Sequence, residues 1–115
     1  MIHHPLEHDP GVEKRLMRGA RAAVACLGRC GADVVLSGHL HNAAVAPLTA
    51  APGVLLVQAG TGLSSRLREE TNNFNLLYIE PERIKVERYG ACERPRFEII
   101  QTARFAKAKG VWREV

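Results

Sequence analysis

A short run rich in β-branched residues, Asp33-Val34-Val35-Leu36-Ser37, stops at Gly38 and is followed at once by His39-Leu40-His41. The run reads as a buried strand entering a loop, because a continuous apolar stretch of this length ended by glycine suits a strand covered on both faces. In extended backbone, residues two apart point to the same side, so His39 and His41 can present both imidazoles to one small volume. Gly38 lets the backbone approach closely, with no side chain in the way. Neutral imidazole is a good ligand for zinc, manganese or iron. Taken alone, the pattern suits a metal site and hydrogen-bonded surface histidines equally well.

What precedes this strand completes an α/β unit. Residues 12–30 read as a helix: Leu16, Ala20, Ala23, Val24, Leu27 and Cys30 recur at three- and four-residue steps, with Arg15, Arg18, Arg21 and Arg29 between them. Gly31 is placed to close it. Beyond the histidines the character changes to strands, over 45–48, 54–59, 74–80, 84–89 and 96–102, with turn chemistry at Pro52-Gly53 and Pro81-Glu82. The pair around Pro81 reads as a β-hairpin. Asn73 and Asn75 bracket Phe74; phenylalanine suits the core there, and the asparagines suit a turn. Cys26 and Cys30, one helical turn apart, read as small buried residues on the alanine-rich face. Trp112 is a candidate anchor for the chain's end.

Composition sets outer bounds. The chain has 115 residues, 46% hydrophobic and 24% charged, enough for one modest core. Its net charge of +4 is spread along the sequence, although Arg94, Arg96, Arg104, Lys107, Lys109 and Arg113 weight the tail. No DNA- or RNA-binding signature accompanies them, so a solvated surface, or attraction to anionic substrates, is the expectation rather than a nucleic-acid interface. Three cysteines, odd in number and without a CxxC pair, indicate neither a disulfide framework nor a zinc ribbon and point to the cytoplasm. No apolar stretch is long enough to span a bilayer, and Met1-Ile2-His3-His4-Pro5 lacks the features of a signal peptide. Met1-Ile2 reads as the end of a strand that begins further upstream.

The order His3-His4-Pro5, a helix, and then Ser37-Gly38-His39-Leu40-His41 resembles the C-terminal motif set of the calcineurin-like metallophosphoesterases. The later Gln58-Ala59-Gly60-Thr61-Gly62-Leu63-Ser64-Ser65-Arg66-Leu67-Arg68, followed by Asn73-Phe74-Asn75, is similar to the bacterial branch related to cyclic-nucleotide phosphodiesterases. The resemblance runs from about His3 to Tyr89. It implies the C-terminal half of a two-sheet sandwich flanked by helices, an α/β (α+β) arrangement with one main helix and about six strands over residues 1–106, followed by a tail at 107–115.

The same resemblance implies a site and a reaction. His3 and His39 would bind one metal ion and His41 the other, the pair being two divalent or trivalent ions of manganese, iron or zinc that serve phosphoester hydrolysis, with a cyclic nucleotide among the candidate substrates. Arg66 and Arg68 could meet a phosphate, since arginine offers a planar fork to its oxygens; the alternative is a solvated pairing with Glu69 and Glu70. The family's N-terminal half also brings an Asp-x-His motif, a Gly-Asp whose carboxylate bridges the ions, and an Asn-His segment. None of these occurs here, and Asp9 and Asp33, the only aspartates, lack the right neighbours. Hydrolysis by this chain alone is therefore not expected. Either a complementary N-terminal chain supplies the missing ligands, or the chain stands as a non-catalytic metal-binding or interaction module. A half-sandwich should also leave apolar strand surface or an unpaired edge, inviting pairing or homodimerisation.

Overall fold

The computed structural model describes residues 2, 6, 19–38, 43–60, 71–92 and 96–115, which form one helix and seven strands in two sheets. This is the α+β architecture the sequence implies.

Helix α1 spans Ala20–Cys30. It is shorter than the expected 12–30 because Gly19 stands at its start in the left-handed conformation (φ 70°), which breaks helical geometry there; residues 12–18 lie outside the described residues. Gly31 closes the other end, also left-handed, and the Ala32 N–H donates to the Leu27 carbonyl at 3.2 Å, a Schellman-type stop. The buried stripe is Ala20 and Val24, flanked by part-buried Ala23 and Leu27. Cys26 and Cys30 are exposed, contrary to expectation, since six and ten residues beyond Ala20 they project from the flank of that stripe.

The first sheet has the order β1-β3-β2, with β1 Val34–Ser37, β2 Ala44–Pro47 and β3 Leu55–Gln58. β1 and β3 are parallel, Val34 opposite Leu55 through Ser37 opposite Gln58, and β2 runs antiparallel to β3. The central strand reads Leu55-Leu56-Val57 because both its faces are covered. Leu56 packs toward the helix with Val35, Leu48 and Val54, while Leu55 and Val57 face the second sheet. Pro47 is tolerated where it is because β2 is an edge strand.

The second sheet is an antiparallel meander of β4 Asn73–Glu80, β5 Arg83–Ala91, β6 Phe97–Ala108 and β7 Val111–Glu114. The hairpin at Pro81-Glu82 is as expected, Glu80 standing opposite Arg83. The strand β7 is additional to the six expected. It is joined to β6 through Lys109 and Gly110, both at positive φ (52° and 76°), the backbone of a tight turn whose twist matches its flanking strands. Between the sheets lie Leu55, Val57, Ile84, Val86, Ala103, Phe105 and Trp112. Each large apolar side chain buried there contributes roughly 1.5–3 kcal/mol. Trp112 is more than an anchor. It is 2% exposed, its backbone N–H donates to the Pro52 carbonyl at 2.9 Å, and its indole Nε1 donates to the Asp33 carbonyl at 3.2 Å, so it ties the two sheets together.

Phe74 and the two asparagines also differ from expectation. All three lie within β4, where period-two alternation turns Asn73, Asn75 and Leu77 one way and Phe74, Leu76 and Tyr78 the other. Asn73 is therefore buried and Phe74 is 45% exposed, stacked at 5.1 Å on the ring of Tyr89 across the strand pair.

Candidate functional site

Parallel pairing decides where this fold can place chemistry. Ile2 forms an isolated parallel bridge with Ser37, and its N–H donates to the Leu36 carbonyl at 2.8 Å. The segment at Ile2, strand β1 and strand β3 thus run in one direction and end at the same edge of the sheet. At that edge the Ala59 N–H donates to the Ser37 carbonyl at 2.8 Å, locking the end of β3 to the end of β1. In open α/β sheets, the crevice outside the carboxyl ends of parallel strands is where ligands bind.

A cleft of about 330 Å³ opens beside these strand ends, between the two sheets. Its apolar lining is Leu36, Val57, Phe74 and Leu77; its polar lining is Ser37, Asn73 and Asn75, with Ala59 and Gly60. The side-chain oxygens Ser37 Oγ and Asn75 Oδ1 are buried without a hydrogen-bond partner among the described residues. Buried polar oxygens ordinarily have a partner, so these two mark a place where a donor belongs. Asn73 is held by its Nδ2, which donates to the Thr71 carbonyl at 2.8 Å. Gly60 lies against that amide so closely that a Cβ there would stand 2.6 Å from Asn73 Oδ1.

Among the described residues, none of the groups with displaced pKa values lines this cleft. The Cys30 thiol is raised, first by its hydrogen bond with Cys26, and Tyr78 is raised, first by its hydrogen bond with Glu87. Burial, followed by the Glu98 carboxylate, raises Cys92. Among the described residues, no carboxylate lines the cleft.

The expected metal ligands His3, His39 and His41, and the expected substrate contacts Arg66 and Arg68, lie outside the described residues. The residues just before His3 and His39 do not: Ile2 precedes His3, and Ser37-Gly38 precedes His39. Among the described residues there is no group of three or more histidines, cysteines or carboxylates able to hold a metal ion, and no helix long and apolar enough to cross a membrane. Ser37, Asn73 and Asn75 as lining of one cleft were not legible in advance as a site. The available signal was the alternation of Asn73, Asn75 and Leu77, which puts two amides on one face of a strand.

No protein-family model and no curated protein matches the sequence. Among solved structures the chain is similar to the crystal structure of a single mutant of Vps29 from Entamoeba histolytica, with a TM-score of 0.50 and 19% sequence identity. The likeness covers 88% of this chain and 53% of that one, so the chain spans about half the length of its structural neighbour. At this identity the likeness is one of fold alone.

Proposed function

We propose that this chain is the histidine-bearing half of a metal-dependent phosphodiesterase of the calcineurin-like type, related to the bacterial cyclic-nucleotide branch. The observation that carries the reading is the convergence of Ile2, Ser37-Gly38 and Gln58-Ala59-Gly60 at one sheet edge, immediately ahead of His3 and His39-Leu40-His41 in the chain. A parallel bridge between Ile2 and Ser37 brings together two segments whose next residues include imidazoles 36 positions apart in sequence.

On this reading His3 and His39 hold one ion and His41 the other, the ions being manganese, iron or zinc, whose donor preferences suit imidazole. When bound, such ions supply Lewis-acid polarisation of the phosphoryl oxygens. The chain's own part is to fix the imidazoles on the ends of parallel strands, and to offer Arg66 and Arg68 to the phosphate of a phosphodiester such as a cyclic nucleotide. The bridging carboxylate that the resemblance implies is the aspartate of a Gly-Asp motif, and neither Asp9, in His8-Asp9-Pro10, nor Asp33, at the opposite end of β1 from Gly38, stands in that context, so on this reading it comes from elsewhere. A complementary polypeptide carrying Asp-x-His, Gly-Asp and Asn-His motifs fits that need, in a reducing compartment such as the cytoplasm.

A second reading, a non-catalytic metal-binding or interaction module, draws on the exposed apolar side chains Leu36, Phe74, Leu76 and Ile79. Equilibrium dialysis against Mn²⁺ and Zn²⁺ tests the metal claim shared by both. Binding should fall when His39 and His41 are replaced together by alanine, with the far-ultraviolet circular dichroism retained. Metal uptake unaltered by that replacement would sink it.

A further inference from the structure

The clearest cluster of reactive side chains outside the candidate site is on helix α1, where Cys26 and Cys30 bring their sulfurs to 3.7 Å while both residues remain exposed. Two outcomes are open to such a pair: closure to a disulfide, or capture of one soft atom between the sulfurs. Helical geometry decides between them. Positions four apart on a helix hold their Cβ atoms about 5–6 Å apart, whereas a disulfide draws them to about 3.5–4.5 Å. Closure would thus distort the last turn of α1, which Gly31 and the amide of Ala32 hold in place. A bridging ion demands no such shift. Two thiolates bound at about 2.3 Å on a tetrahedral ion stand about 3.8 Å apart, close to the separation already present.

We infer that Cys26 and Cys30 form a dithiolate clamp for a single thiophilic d10 cation of the zinc and cadmium class, on the outer face of α1 and separate from the phosphoesterase-type site. Binding forms two metal–sulfur bonds and releases the two thiol protons to solvent, with no change of oxidation state. Two coordination positions remain for water or an external ligand, since the described residues add no third protein ligand there. The hydrogen bond between the thiols, which also raises the Cys30 pKa, is lost on binding, so affinity should rise with pH as both sulfurs deprotonate.

Cadmium ion alone is the probe, because its thiolate bonds absorb in the ultraviolet and report sulfur ligation directly. Titration of the full chain should saturate that thiolate-to-metal band at one ion per chain. The band should be lost in Cys26→Ser and in Cys30→Ser and kept in Cys92→Ser, whose thiol lies on the second sheet beside Glu98. Mass spectrometry after alkylation provides a readout that does not rely on variants: bound cadmium should protect Cys26 and Cys30 together and leave Cys92 reactive. Equal bands in all three variants, or independent alkylation of Cys26 and Cys30 at saturating cadmium, would overturn the assignment. A His39→Ala, His41→Ala double variant should retain the cadmium–thiolate band, which separates failure of this inference from failure of the phosphoesterase reading.

Discussion

The N–H of Ile2 donates to the carbonyl of Leu36 at 2.8 Å, joining by a single backbone bond two segments that lie more than thirty residues apart in the chain. Proline at position 2 removes that donor, while valine keeps it. If the bond positions His3 relative to His39, Ile2→Pro should weaken Mn²⁺ or Zn²⁺ binding by about tenfold, the loss typical when a support behind a ligand is removed. Ile2→Val should leave it unchanged. Titration calorimetry on the two variants reads the difference, and equal affinities would show that the bridge does not position a ligand.

Gly60 and Asn73 are a second coupled pair. A Cβ at position 60 would meet Asn73 Oδ1 at 2.6 Å and Nδ2 at 2.7 Å, and Asn73 is buried. Gly60→Ala should therefore destabilise the fold by about 1–3 kcal/mol in urea unfolding, through overpacking. Because the clash is with one side chain, the Gly60→Ala, Asn73→Ala double variant should lose less than the sum of the single losses. Strict additivity would contradict the contact.

Trp112 and Lys107 both reach Asp33, and their contributions should differ sharply. The Asp33 carbonyl accepts from Trp112 Nε1 at 3.2 Å and from the Leu55 N–H at 2.8 Å, so it keeps a partner when the indole is lost. Trp112→Phe should cost about 1 kcal/mol for the hydrogen bond plus a small cavity, while Trp112→Ala should cost about 3–5 kcal/mol. Lys107 Nζ lies 2.7 Å from Asp33 Oδ1, but the Asp33 side chain is 60% exposed, and Lys107→Met should cost less than about 1 kcal/mol. Denaturant titration followed by circular dichroism ranks the three.

Tyr78 should titrate late. Its hydrogen bond to the Glu87 carboxylate, then partial burial and the nearby charges of Glu87 and Tyr89, raise its pKa above the ordinary 10.0. A folded-state pKa raised above the unfolded value contributes stability that is fully present below pH 10.0 and is lost as pH rises through the folded pKa. Spectroscopic titration in a Tyr89→Phe background should show tyrosinate forming above pH 10.0, and Glu87→Gln should bring it back toward the ordinary value.

The parts of the fold legible in the sequence were those whose cause is local. The run Val34 to Ser37 ended by Gly38, the turn at Pro81-Glu82 and the stop at Gly31 each follow from residues that permit little else. Gly19 does not mark a boundary in the sequence because the apolar period continues through it on both sides, and only its left-handed backbone shows the break. By residue type Phe74 suits the core, whereas the face of β4 it occupies is set by its partner strand, with Tyr89 directly opposite. β7 has little local signal in the sequence because Val111 to Glu114 offers only Trp112 as an inward residue, and its pairing depends on the turn at Lys109-Gly110. The histidine pattern is legible in the sequence because that signal is chemical and local, and its residues lie outside the described ones. The cleft is not, because Ser37, Asn73 and Asn75 come together only through sheet packing.

The central claim is that this chain supplies the histidine half of a two-metal phosphodiester-cleaving site. It is tested most directly by co-expressing the chain with a polypeptide carrying the Asp-x-His, Gly-Asp and Asn-His motifs of the same fold, purifying the complex with Mn²⁺, and assaying bis(p-nitrophenyl) phosphate. The account predicts hydrolysis that neither polypeptide gives alone and that disappears when His39 or His41 is replaced by alanine. A stable metal-loaded complex that fails to hydrolyse the diester, or activity indifferent to His39 and His41, would contradict it.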